Sequence, residues 1–323
     1  MKYHRLTQEE RYQIYALKKE GLSQSAIARN IGRNKSTINR ELKRNKGQKG
    51  YRPKQAHNFA KQRDKTKPKH TRIGEIQIRY IEEKIKQKWS PEQISGRMNI
   101  NGIESVSHES IYKYLQEDKK RGGSLYKHLR HKSKIYKRRY GSHDRRGQIA
   151  NKCSIEDRPS IVDKKERIGD LEIDLVIGKN HKQALVTVVD RKSKFTIIKK
   201  VEHKKASTVK EALIEMILPI KQWTHTITSD NGKEFASFEE VSRVLNTDYY
   251  FCHPYSSWER GLNENTNGLI RQYFPKGSSF KEITHRQIID VQNSLNYRPR
   301  KTLGFKTPAE VFFANIIEFK NSA

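Results

Sequence analysis

Apolar residues recur at helical spacing through the first fifty residues of the chain. Thr7, with Glu10 three positions later, predicts a capped helix, and Ser23 predicts the cap of a short second helix. Asn34 predicts the start of a third helix, after a glycine turn. Three short helices in this order predict a helix-turn-helix domain over residues 1–50.

Helical patterns continue after this domain, with basic segments between them. A basic helix followed by a linker is predicted over residues 51–75. Ser90 and Ser107 predict capped helices, which favour a second helix-turn-helix-like domain over residues 76–125, with a purely structural helical pair as the alternative. A run of cations with little apolar content predicts a basic linker over residues 126–160 that lies along phosphates, or else a solvated tether.

After residue 160 the pattern changes to short β-branched runs separated by polar turns. Three consecutive antiparallel strands are predicted for DLEIDLVIGK, QALVTVVDR and KFTIIKKV, and later strands for THTITSD and residues 249–252, with helices between and after them. This is the order of a ribonuclease-H-like domain. The sequence therefore predicts an α/β domain with a mixed five-stranded sheet over residues 161–323, preceded by an all-α region.

The charge is concentrated in the predicted helical half. The net charge is +31, and the first 150 residues hold 39 Lys and Arg against 14 Asp and Glu, a net of +25 that leaves +6 for the remainder. Such an excess predicts a polyanionic partner, with nucleic acid first and plain solvated surface as the alternative. No stretch approaches the ~20 apolar residues of a membrane-spanning helix, so no membrane partner is expected.

Two further features predict a cytosolic location. The start of the chain contains no apolar signal-peptide core. Cys153 and Cys252 form no CxxC pair, which argues against a zinc finger or a disulfide framework.

The exposed face of the third helix is polar and basic. A recognition helix in the major groove of double-stranded DNA has this character, whereas an ordinary three-helix bundle with a solvated face is the alternative. The predicted DNA-binding residues of this segment are Arg33, Asn34, Lys35, Ser36, Thr37, Asn39 and Arg40.

Carboxylates occur at two strands of the predicted sheet. Asp174 lies among apolar residues in the first strand, where a buried acid requires a partner such as a metal ion. Asp170 and Glu172 share its strand face, so the pattern alone leaves all three as candidate ligands. Asp230 ends the fourth strand at an Asn-Gly turn, at the edge where open α/β sheets place ligands.

A third carboxylate lies in a predicted late helix. Arg260, Glu264, Asn267 and Arg271 recur at helical spacing and form one polar stripe. The stripe places Glu264 where it can meet the strand acids, with Arg260 and Arg271 binding flanking phosphates. An exposed Arg/Glu ladder that only stabilises the helix is the alternative.

Several motifs resemble those of bacterial transposases of the insertion-sequence-thirty family, which have an integrase-type catalytic core. They are GDLEIDLVIG, TSDNGKEF, SSWERGLNENTNGLIRQYFPKG, YRPKQA, WSPEQISGRM and NSLNYRPRKTLGFKTPAEVF. The resemblance covers nearly the whole chain. It implies a catalytic and metal-binding triad of Asp174, Asp230 and Glu264, with 33 residues between the last two.

The same resemblance implies a cofactor, partners and a location. Two Mg²⁺ ions are expected at the triad, with Mn²⁺ as a substitute. The expected partners are terminal inverted repeats and target DNA, bound by a homodimer or higher multimer. The expected location is the bacterial cytosol, in association with the nucleoid.

The chain departs from the family pattern at Leu171, where Trp is common, and at Ile173, where Gly is common. A catalytically inactive, sequence-specific DNA-binding regulator therefore stays as an alternative to an active transposase. A ribonuclease-H-like nuclease for RNA hybrids is a third hypothesis, which does not explain a helix suited to the B-form major groove.

Overall fold

The computed structural model describes residues 5–66, 73–130, 149, 151–254 and 256–322. The chain divides into two compact units, residues 1–72 and 73–323. Residues 67–72 and 131–148, which belong to the two predicted basic linkers, lie outside the described residues. No helix in the described part of the chain is long and apolar enough to cross a membrane.

The described residues of the first unit form four helices and a two-stranded ribbon. They are α1 (Gln8–Lys19), α2 (Gln24–Asn30), α3 (Lys35–Arg44), β1 (Lys46–Gly47), β2 (Gly50–Tyr51) and α4 (Pro53–Thr66). Ile14, Ile27 and Ile38 are fully buried and bring the first three helices together. The predicted helix-turn-helix order is therefore present.

Side-chain caps begin these helices as the sequence predicts. The Glu10 N–H donates to Thr7 Oγ1 at 3.2 Å, and the Thr7 N–H donates to Glu10 Oε2 at 2.7 Å, which completes a capping box. Ser23 and Asn34 cap the next two helices through their side chains. Each cap satisfies backbone donors that the first helical turn leaves without a partner.

A second group of helices opens the larger unit. They are α5 (Glu75–Lys86), α6 (Pro91–Ile100) and α7 (His108–Lys120). Ser90 and Ser107 cap α6 and α7 as predicted, and Ile85, Ile94 and Ile111 are fully buried between the helices. The helical pattern is confirmed, and DNA binding by this group stays a prediction.

The remainder of the larger unit alternates strands and helices around one sheet. Its elements are β3 (Cys153–Ser154), α8 (Ile161–Lys164), β4 (Asp170–Ile177), β5 (Ala184–Asp190), β6 (Thr196–Val201), α9 (Ala206–Ile217), β7 (Thr226–Ser229), α10 (Phe238–Leu245), β8 (Asp248–Phe251), α11 (Gly261–Ile270), α12 (His285–Asn296) and α13 (Pro308–Ser322). The strand order is β3-β8-β7-β4-β5-β6. β4, β5 and β6 pair antiparallel, whereas β4, β7 and β8 pair parallel. The predicted mixed α/β architecture, with a ribonuclease-H-like order, is confirmed.

The predicted number of strands was one short. The five predicted strands are β4 to β8, and the sixth, β3, pairs in parallel with β8 through Cys153 and Ser154. A strand of two residues has no periodicity that a sequence pattern can reveal. It lies inside residues 126–160, which were predicted as a linker.

Helices cover both faces of the sheet. On one face, Leu171 and Ile173 of β4 are buried against α9 and α10. On the other face, Val176 of β4 packs with Leu269 of α11 and Ile288 of α12. Because side chains alternate along a strand, Asp170, Glu172 and Asp174 lie on the α11 face.

Candidate active site and DNA-binding surface

Strand register places Asp174 and Asp230 side by side. Glu172 of β4 pairs with Thr228 of the parallel strand β7. Each acid lies two residues further along the chain, Asp174 within β4 and Asp230 directly after the last residue of β7, so the two acids lie at one level, where β7 ends. Their side chains are 21% and 31% exposed. The carboxyl ends of the strands are where open α/β sheets bind ligands.

Arg260 lies against both acids. Its Nη1 is 3.5 Å from Asp174 Oδ2, and its Nη2 donates to Asp230 Oδ2 at 3.2 Å. The Arg260 side chain is 14% exposed. Carboxylate oxygens are the ligands that a hard divalent cation prefers, so Asp174 and Asp230 are suited to bind one. The DNA contact predicted for Arg260 stays a prediction.

Further hydrogen bonds fix each carboxylate. Asp174 Oδ1 accepts from the Leu175 N–H at 2.8 Å, and its Oδ2 accepts from Asn267 Nδ2 at 2.8 Å. Asp230 Oδ1 accepts from the Gly232 N–H at 2.9 Å, which closes the Asn-Gly turn. Burial raises the pKa of Asp174, and Arg260 opposes this change by stabilising the charged form.

The other two acids of β4 are held by arginines. Asp170 is fully buried and accepts from Arg167 at 2.9 and 3.0 Å. Glu172 is 2% exposed, and its Oε1 accepts from Arg191 Nη1 at 2.9 Å. These ion pairs use the carboxylates inside the protein, whereas Asp174 lies level with Asp230 and is partly exposed. The geometry thus separates three acids that the sequence pattern could not separate.

Glu264 follows Asn263 on α11, and its side chain is exposed. Among the residues that the structure describes, no three His, Cys, Asp or Glu side chains lie close enough to hold a metal ion. The structure therefore brings together Asp174 and Asp230, and it leaves Glu264 apart on the neighbouring helix. The ligand role of Glu264 stays a prediction.

Arg271, the other arginine of the predicted stripe, folds onto the backbone. Its Nη2 donates to the Ile177 carbonyl at 2.6 Å and its Nη1 to the Phe274 carbonyl at 3.5 Å. It therefore ties the end of α11 to the end of β4. Binding of DNA by Arg271 stays a prediction.

The predicted DNA-binding residues of α3 fall into two groups. Arg33 donates to Glu10 at 2.8 Å, and Asn34 Oδ1 accepts from the Ser36 N–H at 2.9 Å, so these two side chains also serve the fold. Arg40 donates to the Ser36 carbonyl at 3.1 Å and remains exposed. Asn34, Lys35, Ser36, Asn39 and Arg40 form the exposed part of the predicted surface, and Arg33 and Thr37 are half-buried.

A groove next to α3 adds cations that the sequence analysis did not select. It encloses about 530 Å³, and its lining includes Thr37, Arg40, Arg44 and Arg63. Arg63 belongs to α4 and donates to the Arg44 carbonyl at 3.3 Å. Arg40 and Arg44 lie one helical turn apart on α3, but only the packing of α4 beside α3 adds Arg63 to them, which no spacing along the sequence indicates.

Comparison with known proteins places this architecture in a family. A model described as "Helix-turn-helix domain" matches residues 2–45, and one described as "Integrase core domain" matches residues 165–257. The chain is 46% identical over 309 residues to the transposase for insertion sequence element IS4351 of Bacteroides fragilis, covering 95% of each. It is 37% identical over 319 residues to transposase InsI for element IS30A of Escherichia coli (strain K12), covering 95% of this chain and 82% of the relative.

The chain belongs to the insertion-sequence-thirty family of transposases. The resemblance predicted from its motifs is thereby confirmed. The integrase core match contains Asp174 and Asp230 and ends before Glu264.

Solved structures are also similar to part of this transposase-family chain. The catalytic core domain of BIV integrase in crystal form I matches with a TM-score of 0.37 at 18% identity, covering 48% of this chain and 99% of that one. A chain of a simian T-cell lymphotropic virus intasome in complex with PP2A regulatory subunit B56 gamma matches with a TM-score of 0.38 at 20% identity, covering 45% and 54%.

Leu171 and Ile173, which the motif resemblance marks as departures from the family pattern, occupy core positions. Leu171 is 1% exposed and Ile173 is 0% exposed, and both pack in the cluster beneath α9 and α10. Their side chains point away from Asp174, because odd and even residues of β4 face opposite sides of the sheet. Leu171 and Ile173 therefore belong to the packing below the site and not to its carboxylates.

Two asparagines of α11 contact the site but were absent from the predicted site residues. Asn267 binds Asp174 directly, and Asn263 binds the backbone of β4. The spacing of the polar stripe already included Asn267. Asn263 gave no comparable signal, because its partners on β4 are known only once α11 is packed on the sheet.

Proposed function

We propose that this protein is the transposase of an insertion sequence. In this proposal it binds the terminal inverted repeats of its own element, cuts the DNA there, and joins the free 3′-ends to target DNA. The observation that carries the proposal is that Asp174 of β4 and Asp230, directly after β7, lie at one level and share Arg260, with α11 fixed beside them. Membership of a transposase family supports the same activity.

The proposed site holds divalent metal ions through oxygen ligands. Asp174 and Asp230 are the proposed primary ligands and Glu264 is the proposed third, for two Mg²⁺ ions or Mn²⁺ in their place. Such ions lower the pKa of an attacking water or 3′-hydroxyl and stabilise the charge on the leaving oxygen. The integrase core match supports a metal site of this kind.

The chain's own residues have separate proposed roles at this site. Asn267 orients the Asp174 carboxylate through its hydrogen bond. Arg260, which lies within 3.5 Å of both acids, is placed to bind a phosphate of the DNA once metal ions occupy the carboxylates. The exposed residues of α3 bind the terminal repeat, and the basic groove beside them binds the DNA backbone.

The proposed assembly is a homodimer or a higher multimer on DNA, because two ends must be joined in concert. The proposed location is the bacterial cytosol, in association with the nucleoid. Light scattering of the complex with terminal-repeat DNA tests the assembly. A monomer on DNA under conditions that support joining would contradict it.

Gel-shift and cleavage assays with the purified protein test the proposed function. Duplex DNA carrying one terminal repeat is compared with random duplex DNA and with an RNA–DNA hybrid, each with Mg²⁺ and with EDTA. The proposal expects selective binding of the repeat, with metal-dependent nicking at its end. Selective binding without nicking in any metal would instead identify a DNA-binding regulator, and cleavage of the hybrid alone would identify a ribonuclease.

A further inference from the structure

Helix α11 is attached to strand β4 at three successive residues of the strand. The Asn263 N–H donates to Glu172 Oε2 at 3.3 Å, and Asn263 Nδ2 donates to the Ile173 carbonyl at 3.1 Å. One helical turn later, Asn267 Nδ2 donates to Asp174 Oδ2 at 2.8 Å. Asn263 and Asn267 lie on one side of the helix, because residues four apart share a face.

The Glu172 anchor is rigid. Its carboxylate is 2% exposed, and its other oxygen is held by Arg191, whose side chain is 5% exposed. Arg191 also contacts Asp163, which in turn pairs with Arg158. A buried charge in such a network cannot shift without leaving a partner unpaired, so the Asn263 N–H meets a fixed acceptor.

Asn263 is a polar residue in a fully buried position. It is 0% exposed, and its Oδ1 has no hydrogen-bond partner among the described residues. An apolar side chain would fill this space without a buried polar atom that lacks a partner. The asparagine is therefore better explained by the position that it gives the helix than by stability.

Glu264 is the next residue on the helix. Rotation of α11 by one residue would move each side chain by about 100° around the helix axis. Two anchors four residues apart fix both that rotation and the movement of the helix along its axis. The direction in which Glu264 leaves the helix is thus set by Asn263 and Asn267.

We propose that Asn263, held by Glu172 and the Ile173 carbonyl, is a positioning residue that sets Glu264 relative to Asp174 and thereby sets the affinity of the site for divalent metal. This inference rests on the proposed function, because it requires that the acids bind metal. It assigns Glu172 a role as an anchor for α11 and not as a ligand.

A second buried asparagine provides a matched control. Asn296 of α12 is 2% exposed, and its side chain exchanges two hydrogen bonds of 2.8 Å with the backbone of Thr196 on β6. It therefore also ties a helix to the sheet, but to an edge strand. Asn296→Ala removes an equivalent anchor without touching β4 or α11.

The test measures Mn²⁺ binding to the full-length protein by calorimetry, without DNA, together with the thermal unfolding midpoint. We expect Asn263→Ala to weaken Mn²⁺ binding roughly 10- to 100-fold, the usual effect of losing a residue that orients a metal ligand. Asn296→Ala is expected to lower the unfolding midpoint and leave Mn²⁺ affinity unchanged. Equal Mn²⁺ affinity in Asn263→Ala and wild type, or equal weakening by both variants, overturns the inference.

Two further variants distinguish failure of the positioning role of Asn263 from failure of the proposed metal site. Asn263→Ser replaces the amide donor with a hydroxyl donor and is expected to retain an affinity between those of Asn263→Ala and wild type, which provides the comparison if the alanine variant does not fold. Asp174→Asn is expected to abolish Mn²⁺ binding. If Asp174→Asn binds Mn²⁺ as wild type does, the proposed metal site itself fails. If it loses binding while both Asn263 variants keep it, only the positioning role fails.

Discussion

Asn267 and Asp174 join the helix that bears Glu264 to the strand that bears the first acid. The Asn267 amide donates to Asp174 Oδ2 at 2.8 Å, and Arg260 Nη1 lies 3.5 Å from the same oxygen. The segment around α11 thus supplies both a neutral donor and a cation to one carboxylate. A change in this segment therefore acts directly on the charge and orientation of Asp174.

Removal of the cation between the acids is predicted to strengthen metal binding. Arg260→Gln removes a positive charge that lies 3.2 Å from Asp230 and 3.5 Å from Asp174. Unit charges 4 Å apart interact by ~4 kcal/mol at an effective dielectric constant of 20, so we expect Mn²⁺ affinity without DNA to rise at least about tenfold. Calorimetric titration with Mn²⁺ measures the change.

Arg271→Gln is the matched control for this prediction. Its guanidinium donates to the Ile177 and Phe274 carbonyls, so its loss removes a similar charge from the opposite end of α11. Mn²⁺ affinity is expected to rise less than in Arg260→Gln. Unchanged or weaker Mn²⁺ binding by Arg260→Gln would contradict the prediction.

Loss of an exposed arginine on α3 is predicted to reduce selectivity for the terminal repeat. Arg40→Ala is expected to weaken binding to the cognate end by ~1–3 kcal/mol, with little effect on random DNA. Lys18→Ala on α1, which removes an exposed cation outside α3, is the control. Competition gel shifts at fixed salt concentration measure the affinity of each variant for cognate and for random DNA. If Arg40→Ala weakens binding to cognate and to random DNA by the same amount, Arg40 contacts only phosphate.

Ile173, at which the motif resemblance implies a glycine, is predicted to contribute to core stability. Ile173 is 0% exposed within the cluster beneath α9 and α10. Ile173→Ala is expected to lower the free energy of unfolding by about 2–5 kcal/mol, and Ile173→Val by about 0.5–1.5 kcal/mol. Urea denaturation measures both. If Ile173→Ala has the same free energy of unfolding as wild type, this side chain does not contribute to packing.

The Arg97–Glu310 ion pair, which joins α6 to α13, is predicted to make stability depend on acid pH. The Arg97 guanidinium donates to both Glu310 oxygens, and it lowers the pKa of that carboxyl from 4.5 to about 2. Because the folded-state pKa is lowered, the contribution is complete above pH 4.5, decreases as the pH falls toward 2, and is absent below that value.

Glu310→Gln tests this contribution. The difference in unfolding free energy between wild type and variant is expected to be constant above pH 4.5 and to shrink as the pH falls below it. Urea denaturation at a series of pH values measures the difference. A difference that does not change with pH would show that the carboxylate charge contributes nothing.

Local signals explain which parts of the fold could be predicted from the sequence. Thr7 and Glu10 lie within one helical turn, so their reciprocal bonds depend on no distant residue. The runs that became β4, β5 and β6 follow one another along the chain and pair with their neighbours. Such features depend on residues that are close along the chain, so they do not change when the helices and strands pack together.

Features that depend on packing could not be predicted in this way. Period-two alternation placed Asp170, Glu172 and Asp174 on one face but could not show which acid lies level with Asp230. That distinction required the register of β4 on β7 and the arginines that neutralise the other two. In the same way, the exposed helix face predicted for Arg33 did not reveal its ion pair with Glu10, 23 residues earlier.

The central claim is that three carboxylates act together in cutting and joining DNA. The most direct test is Mg²⁺-dependent cleavage and joining of a supercoiled plasmid that carries both ends of the element, with wild type compared with Glu264→Gln. This substitution keeps the side-chain size and removes the charge. The account predicts that wild type cuts at the ends and joins them, while the variant binds the ends with equal affinity and does not cut. Equal cleavage by the variant, or binding without cleavage by wild type, would contradict it.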